Sequence, residues 1–230
     1  MLISALVDNV AEVRERIAAA VKRGGHGQRV RLVAITKTHG PEVVAAAWEA
    51  GIRDVGENKV QEALEKQRAV TGPASAVCWH LVGHLQRNKV KFLDQFAWFH
   101  ALDSARLADA VHAFGERRGR PVEALVQANV VGEAAKGGYA PADLEAEADR
   151  LRTARGVRVR GVMVMAPFEA DEATLRRVFS EARAARDVLA RAGHPADELS
   201  MGMSADYDIA VEEGATMVRL GTVLFGARAS

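Results

Sequence analysis

Short apolar runs alternate with longer helical patterns along nearly the whole chain, and this alternation limits the possible folds more than any other feature. The first run, Leu32-Val33-Ala34-Ile35-Thr36, precedes a helical pattern over 41–50, with Pro41 at a first helical position and Gly51 closing it. Runs at 52–56, 77–82, 98–102, 122–129, 159–165, 199–202 and 217–220 also read as strands. Helical patterns over 59–70, 88–94, 104–118, 141–154, 171–192 and 206–213 lie between them, and an amphipathic helix carrying Glu12, Arg14 and Arg16 opens the chain. Strands separated by helices pair in parallel through crossover connections. About eight strands at this length close a barrel. The expected fold is α/β, a single (β/α)8 TIM-type barrel domain over residues 1–230 with an extra N-terminal helix. A doubly wound sheet is the alternative, because periodicity does not prove closure.

Composition limits the partners. With 230 residues, 49% hydrophobic and 27% charged, the chain has the make-up of a globular domain with an ample core. A formal net charge of +1 gives no reason to expect a nucleic acid or another polyanion. Cys78 is the only cysteine, so neither an internal disulfide nor a clustered metal site is expected. Next to Trp79-His80-Leu81-Val82 it reads as a small buried hydrophobe. No apolar run is long enough to span a bilayer. The first eight residues, Met1-Leu2-Ile3-Ser4-Ala5-Leu6-Val7-Asp8, lack the basic region and long apolar core of a signal peptide, so a cytoplasmic protein is expected. Regular helices without an obvious apolar patch point to a monomer. Gly24-Gly25-His26-Gly27-Gln28 reads as a short turn, and 131–139 is the longest loop-like segment. That segment follows a strand, which puts it on the barrel face that carries active sites.

Three places carry chemistry. Lys37 follows the first strand directly, at its carboxyl end. Burial there favours the neutral amine, the form that attacks a carbonyl, although the position suits a solvated loop lysine equally well. Ser200-Met201-Gly202-Met203-Ser204 and Arg219-Leu220-Gly221-Thr222 fall at the ends of the seventh and eighth strands. Those loops often build a phosphate site, with glycines allowing close backbone approach and hydroxyls donating. Each segment also reads as an ordinary glycine turn. Arg219, at the end of an apolar strand, needs a partner. That partner is either an internal carboxylate or the ring nitrogen of a cofactor such as pyridoxal 5′-phosphate (PLP). Lysine, phosphate donors and arginine would then meet the aldehyde, phosphate and ring nitrogen of one molecule.

The same residues carry a family resemblance. Val33-Ala34-Ile35-Thr36-Lys37, Gly56-Glu57-Asn58-Lys59-Val60-Gln61-Glu62, and Trp79-His80-Leu81-Val82-Gly83-His84-Leu85-Gln86-Arg87-Asn88-Lys89 are three of its segments. Ser200-Met201-Gly202-Met203-Ser204-Ala205-Asp206, Arg219-Leu220-Gly221-Thr222 and Phe225-Gly226-Ala227-Arg228 complete it, in order along essentially the whole chain. The sequence resembles the PLP-binding homeostasis proteins, single-domain relatives of the alanine racemase N-terminal barrel. The resemblance implies a PLP Schiff base on Lys37, phosphate contacts from Ser204, Gly221 and Thr222, and a ring-nitrogen contact from Arg219. It also puts Asn58, His80 and Met163 in the cofactor pocket. Each has another reading: Asn58 as a helix cap, His80 as a core histidine, Met163 as strand packing. Two positions depart from the family pattern: Lys59 stands where tyrosine is expected, and Thr38 where relatives often have a second lysine.

Two functions fit such a site. One is a carrier that stores, buffers or delivers PLP to apo-enzymes. The other is a PLP-dependent amino-acid racemase, which needs acid/base groups on both faces of its substrate. Racemases sharing this barrel take the second base from an added C-terminal domain. This sequence ends at Ser230, soon after its last strand, so the carrier is the expectation. Of its two tyrosines, Tyr139 and Tyr207, the second lies just past the phosphate loop, at an expected helix-surface position. A guanidinium at the ring nitrogen also disfavours ring protonation and weakens the electron sink. A barrel enzyme acting on a sugar phosphate would use Lys37 and the phosphate site but would leave Arg219 without a role.

Overall fold

The computed structural model describes residues 2–132 and 137–226. Residues 133–136 of the expected long loop, and Ala227 and Arg228 of the closing motif, lie outside the described residues. Eight strands form: β1 Arg31–Ile35, β2 Asp54–Glu57, β3 Cys78–Leu81, β4 Trp98–Leu102, β5 Val122–Gln127, β6 Val157–Met163, β7 Glu198–Ser200 and β8 Met217–Leu220. Neighbours in sequence pair in parallel, and β1 pairs with β8, so the sheet closes. Closure excludes the doubly wound alternative. The helices are α1 Leu2–Gly24, α2 Glu42–Glu49, α3 Val60–Ala69, α4 Ala105–Arg117, α5 Leu144–Leu151, α6 Glu172–Arg191, α7 Tyr207–Glu212 and α8 Thr222–Phe225. Among the described residues, no helix is long and apolar enough to cross a membrane.

Local chemistry explains these elements. Val122, Ala124, Leu125 and Val126 of β5 are all buried, as a parallel strand covered on both faces requires. In α6, Leu175, Val178, Phe179, Ala182, Ala185 and Leu189 recur at helical spacing and are buried. Its start is capped by Asp171, whose carboxylate accepts from the Thr174 amide at 2.8 Å. The extra helix α1 buries Leu6, Val10, Val13, Ile17 and Ala20, and packs on α2, α7 and α8. Each of its larger apolar side chains contributes about 1.5–3 kcal/mol by leaving water. Gly161 allows β6 to run against β7: a Cβ there would lie 1.8 Å from the Glu198 carbonyl oxygen.

Some boundaries differ from expectation. The segment expected as a helix over 88–94 is a 3₁₀ helix, Arg87–Gln95. Its buried residues Val90 and Leu93, followed by Phe96, recur every third position, and that row matches three residues per turn. A short 3₁₀ turn, Gly72–Ala76, and the four-residue α8 were not expected. β6 starts and ends two residues before the expected 159–165.

Candidate functional site

Parallel closure gathers all strand carboxyl ends on one face. β1 ends in a turn closed by a hydrogen bond from His39 N to Thr36 O at 3.2 Å. Lys37 is the second residue of that turn and is half-buried. Its amine makes no hydrogen bond or ion pair with the described residues. β8 lies beside β1, with Val33 opposite Arg219 and Ala34 opposite Leu220, so Gly221 reaches the same rim as Lys37. A Cβ on Gly221 would sit 3.5 Å from the Ile35 carbonyl oxygen.

The next strand end supplies donors. Ser204 Oγ faces the amides of Gly221 and Val223, each donating to it at 3.3 Å. Those are long hydrogen bonds, leaving the hydroxyl and both amides able to turn to a better acceptor. Gly202 has φ 93, and a Cβ there would approach the Ala210 Cβ to 2.7 Å, so only glycine fits this bend. The Gly202 carbonyl accepts from Arg219 N at 2.9 Å, joining the β7 loop to β8. The buried Asp206 carboxylate closes the same loop by accepting from Met203 N at 2.6 Å. Thr222 is exposed at the start of α8.

Arg219 is buried, and burial pulls its guanidinium down to about 10, opposed by the charge of Asp206. Nη1 donates to Ser200 Oγ at 2.7 Å and Nη2 to the Val164 carbonyl at 2.8 Å. Nε makes no hydrogen bond with the described residues. From Ser200 a polar chain crosses the barrel. Ser200 Oγ lies 2.9 Å from His100 Nδ1, His100 Nε2 lies 2.9 Å from His80 Nδ1, and His80 Nε2 lies 3.0 Å from Asp54 Oδ1. Burial lowers both histidines, so each is neutral and has one donor and one acceptor. The Asp54 carboxylate only accepts, which fixes every direction. His80 Nε2–H donates to Asp54, His100 Nε2–H to His80 and Ser200 O–H to His100. Ser200 Oγ is thus left to accept from Arg219.

Most expected site residues converge. Lys37, Gly202, Ser204, Arg219, Gly221 and Thr222 lie at or just beyond the ends of β1, β7 and β8. Asn58 follows β2 and is half-buried. It is not used as a cap, since Lys59 holds the N-cap position of α3. Ser200 and His80 are not at the rim: both are fully buried and engaged in the chain behind Arg219. Met163 is buried in the wall, opposite Ser200 and Gln127. Tyr207 is not on a helix surface. It is buried near α1, with the Arg16 guanidinium 5.0 Å from its ring centre.

His100, Asp54, Glu57, Glu62 and Lys66 were missed. A histidine within Trp98-Phe99-His100-Ala101-Leu102 was the available signal, since a polar ring in an apolar strand needs a buried partner. The fold also brings Asp54, Cys78 and His80 together, with three potential ligand atoms within 4.8 Å of one another. Arg31 lies 3.7 Å from Asp54, however, and His80 already donates to it. Burial pushes the Cys78 thiol up to about 11.

The residues suit PLP on three counts. Among the described residues, a lysine amine stands without a partner, a buried guanidinium keeps an unused Nε–H, and two amides with a hydroxyl lack a strong acceptor. A cavity of about 340 Å³ at the other end of the barrel, lined by Pro121, Leu151, Arg155, Val157 and Pro195, has none of these groups.

Comparisons with known proteins point the same way. Residues 4–229 match the family model described as alanine racemase, N-terminal domain. The chain is 38% identical over 224 residues to the pyridoxal phosphate homeostasis protein of Aquifex aeolicus, covering 96% of this chain and 97% of that one. It is 36% identical over 233 residues to the protein of the same name from Escherichia coli K12, covering 97% of each. The structure of PipY from Synechococcus elongatus PCC7942 with PLP bound superposes with a TM-score of 0.85 at 36% identity, over 96% of this chain and 100% of that one. Alanine racemase from Corynebacterium glutamicum shares the fold at TM-score 0.73 and 14% identity, over 99% of this chain but 62% of that one.

Proposed function

The chain belongs to the alanine racemase N-terminal domain family and, within it, to the pyridoxal phosphate homeostasis proteins; on that premise we propose that it holds PLP as a Schiff base on Lys37 and stores, buffers or delivers it rather than turning over a substrate. The observation that carries this reading is the convergence, at the ends of adjacent strands, of a lysine amine and a buried arginine Nε–H that are both without partners among the described residues, with the Ser204, Gly221 and Val223 donors.

When bound, PLP supplies an aldehyde that condenses with a lysine amine, and a ring that can act as an electron sink. Each protein group has a task. Lys37 provides the amine. Ser204 and the amides of Gly221 and Val223 would donate to the phosphate, and Thr222 lies beside them with a further hydroxyl. Arg219, held by Ser200 and Val164, would offer its Nε–H to the ring nitrogen. Its fixed charge disfavours protonation there, which suits holding the cofactor better than stabilising a carbanion. Asn58, half-buried just after β2, would line the pocket wall. His80 and Ser200 act from behind, through Arg219, and Met163 shapes the wall.

The two tyrosines support the carrier reading. The Tyr139 hydroxyl donates to Glu147 at 2.7 Å, and Tyr207 is buried near Arg16. Neither serves as an acid or base for a substrate at Lys37. One observation favours racemisation instead. His84, exposed on the loop after β3, is held by Asp103 at 2.6 Å, an imidazole–carboxylate pair like that of a general base. The reading also takes the protein as one cytoplasmic domain over residues 1–230, monomeric, with PLP-dependent apo-enzymes as recipients. Two assays on the PLP-loaded protein test it. Incubation with a PLP-requiring apo-enzyme should restore that enzyme's activity, and incubation with L-alanine should leave its optical rotation unchanged. Rapid racemisation, abolished by His84→Ala, would replace the carrier with the enzyme.

A further inference from the structure

The turn that presents Lys37 is fastened by three charged side chains with no part in the binding contacts above. Lys66 of α3 has three ammonium protons, and three acceptors meet them. These are the Thr36 carbonyl at 2.6 Å, Glu57 Oε1 at 2.6 Å and Glu62 Oε1 at 2.8 Å. Thr36 Oγ1 donates to the same Glu57 oxygen at 2.5 Å. Glu62 Oε1 also accepts from the backbone amide of Thr38. The residue before Lys37 is therefore held by its carbonyl and hydroxyl, and the residue after it by its amide.

Thr36, Glu57 and Lys66 are buried, and the paired oxygen, Glu57 Oε1, takes both Thr36 Oγ1 and Lys66 Nζ, which fixes the geometry on that side; Glu57 Oε2 is buried without a hydrogen-bond partner among the described residues. Burial raises Glu57, while hydrogen bonds from Lys66 and Thr38 outweigh burial at Glu62 and hold it low. What the cluster holds is strained. Thr38 has φ 68, the left-handed region that a β-branched residue avoids. A positive φ at the third residue belongs to a type II turn, where glycine or asparagine is usual. Strain of this kind persists only where the surroundings enforce it, and it gathers at functional sites. The enforcing contact here is Glu62 on the Thr38 amide.

We propose that Glu57, Glu62 and Lys66 are positioning residues for Lys37. They keep its turn in the strained form that presents the amine at the barrel rim, so the affinity and rate of PLP uptake depend on them. This rests on Lys37 being the lysine that takes PLP.

Glu62→Ala is the informative change, because that side chain is 26% exposed and Lys66 keeps its other two acceptors. Thr38→Gly removes the need for the hold, since glycine adopts positive φ freely. PLP dissociation constants and uptake rates would be read from the visible absorbance of the loaded protein. Borohydride reduction and peptide mapping would locate the label, and thermal unfolding of the PLP-free proteins would check folding. Glu62→Ala is expected to weaken binding and slow uptake by about tenfold, and the Glu62→Ala, Thr38→Gly double variant to recover to within about threefold of wild type. Should Glu62→Ala not fold, Glu62→Gln is expected to show a smaller loss with the same recovery. Wild-type binding by Glu62→Ala, with Lys37 labelled, overturns the positioning role alone. A loss that Thr38→Gly does not recover also overturns it, because a general structural role would not be rescued by relieving one φ angle. A wild-type protein without label on Lys37 overturns this proposal and the assignment of Lys37 together.

Discussion

Ser200→Ala cuts the polar chain at the link that touches Arg219. The removed oxygen accepts from the Arg219 guanidinium at 2.7 Å and donates to His100 Nδ1 at 2.9 Å. A hydrogen bond to a charged group contributes about 1.5–3 kcal/mol, and an unsatisfied buried acceptor costs about 1–3 kcal/mol. The two effects share one atom and overlap, so the expected destabilisation is about 3–4 kcal/mol. For a chain of this length, that lowers the melting temperature by roughly 6–15 °C. Urea unfolding of the PLP-free protein measures it, with an unchanged denaturant slope as the sign that only stability moved. Arg219 loses a restraint, so PLP should also bind more weakly. Ser180→Ala is the control. That hydroxyl bonds the Arg177 carbonyl on an exposed helix face, and its loss should cost under about 0.5 kcal/mol. Equal stability of Ser200→Ala and wild type would refute the chain as a stabilising network and remove the reason for Arg219's placement.

Three further outcomes follow. Burial lowers His80 and His100 in the folded state, so the unfolded chain binds protons first as pH falls; the stability they contribute is complete above about pH 6.5 and is lost below it, by up to about 1.4 kcal/mol per pH unit for each histidine. Urea unfolding between pH 7.5 and 5.5 checks this, and a His80→Gln, His100→Gln double variant with the same slope as wild type would contradict it. Gly161→Ala puts a Cβ 1.8 Å from the Glu198 carbonyl oxygen and should cost more than about 3 kcal/mol, seen as loss of soluble protein or a much lower urea midpoint. Burial pushes the Cys78 thiol up to about 11, so at pH 8 the native protein should react with a disulfide reagent on the order of a hundredfold slower than the urea-unfolded chain; equal rates would show the thiol accessible and ionised.

The barrel was legible because most crossovers repeat one pattern, a short apolar run and then a helix with apolar residues at helical spacing; the β3–β4 crossover, a 3₁₀ helix, is the departure. Closure was not, since the pairing of β1 with β8 joins the two ends of the pattern and no local signal marks it. The rim of the site was legible for the same reason as the strands. Lys37, Ser204, Arg219 and Gly221 sit where strands end, and a barrel puts strand ends together. What lies beneath the rim was not. Ser200 and His80 read as pocket residues, yet inward-facing positions on β3 and β7 turn them into the barrel toward His100. In the sequence Lys66 has no signal beyond its place in the helical pattern over 59–70. Only the packing of α3 against the end of β1 shows that Lys66 is buried and bonded to Thr36. Long-range polar pairing leaves no periodicity for a sequence reading to find.

Whether Lys37 carries PLP is decided by borohydride reduction. Wild-type and Lys37→Ala protein would be incubated with PLP, their near-ultraviolet and visible spectra recorded, and both reduced and mapped by peptide mass. The wild type is expected to show a Schiff-base absorbance band and a single pyridoxyl adduct on Lys37, and Lys37→Ala neither. No band in the wild type even with added PLP, or an adduct on another lysine, would contradict it.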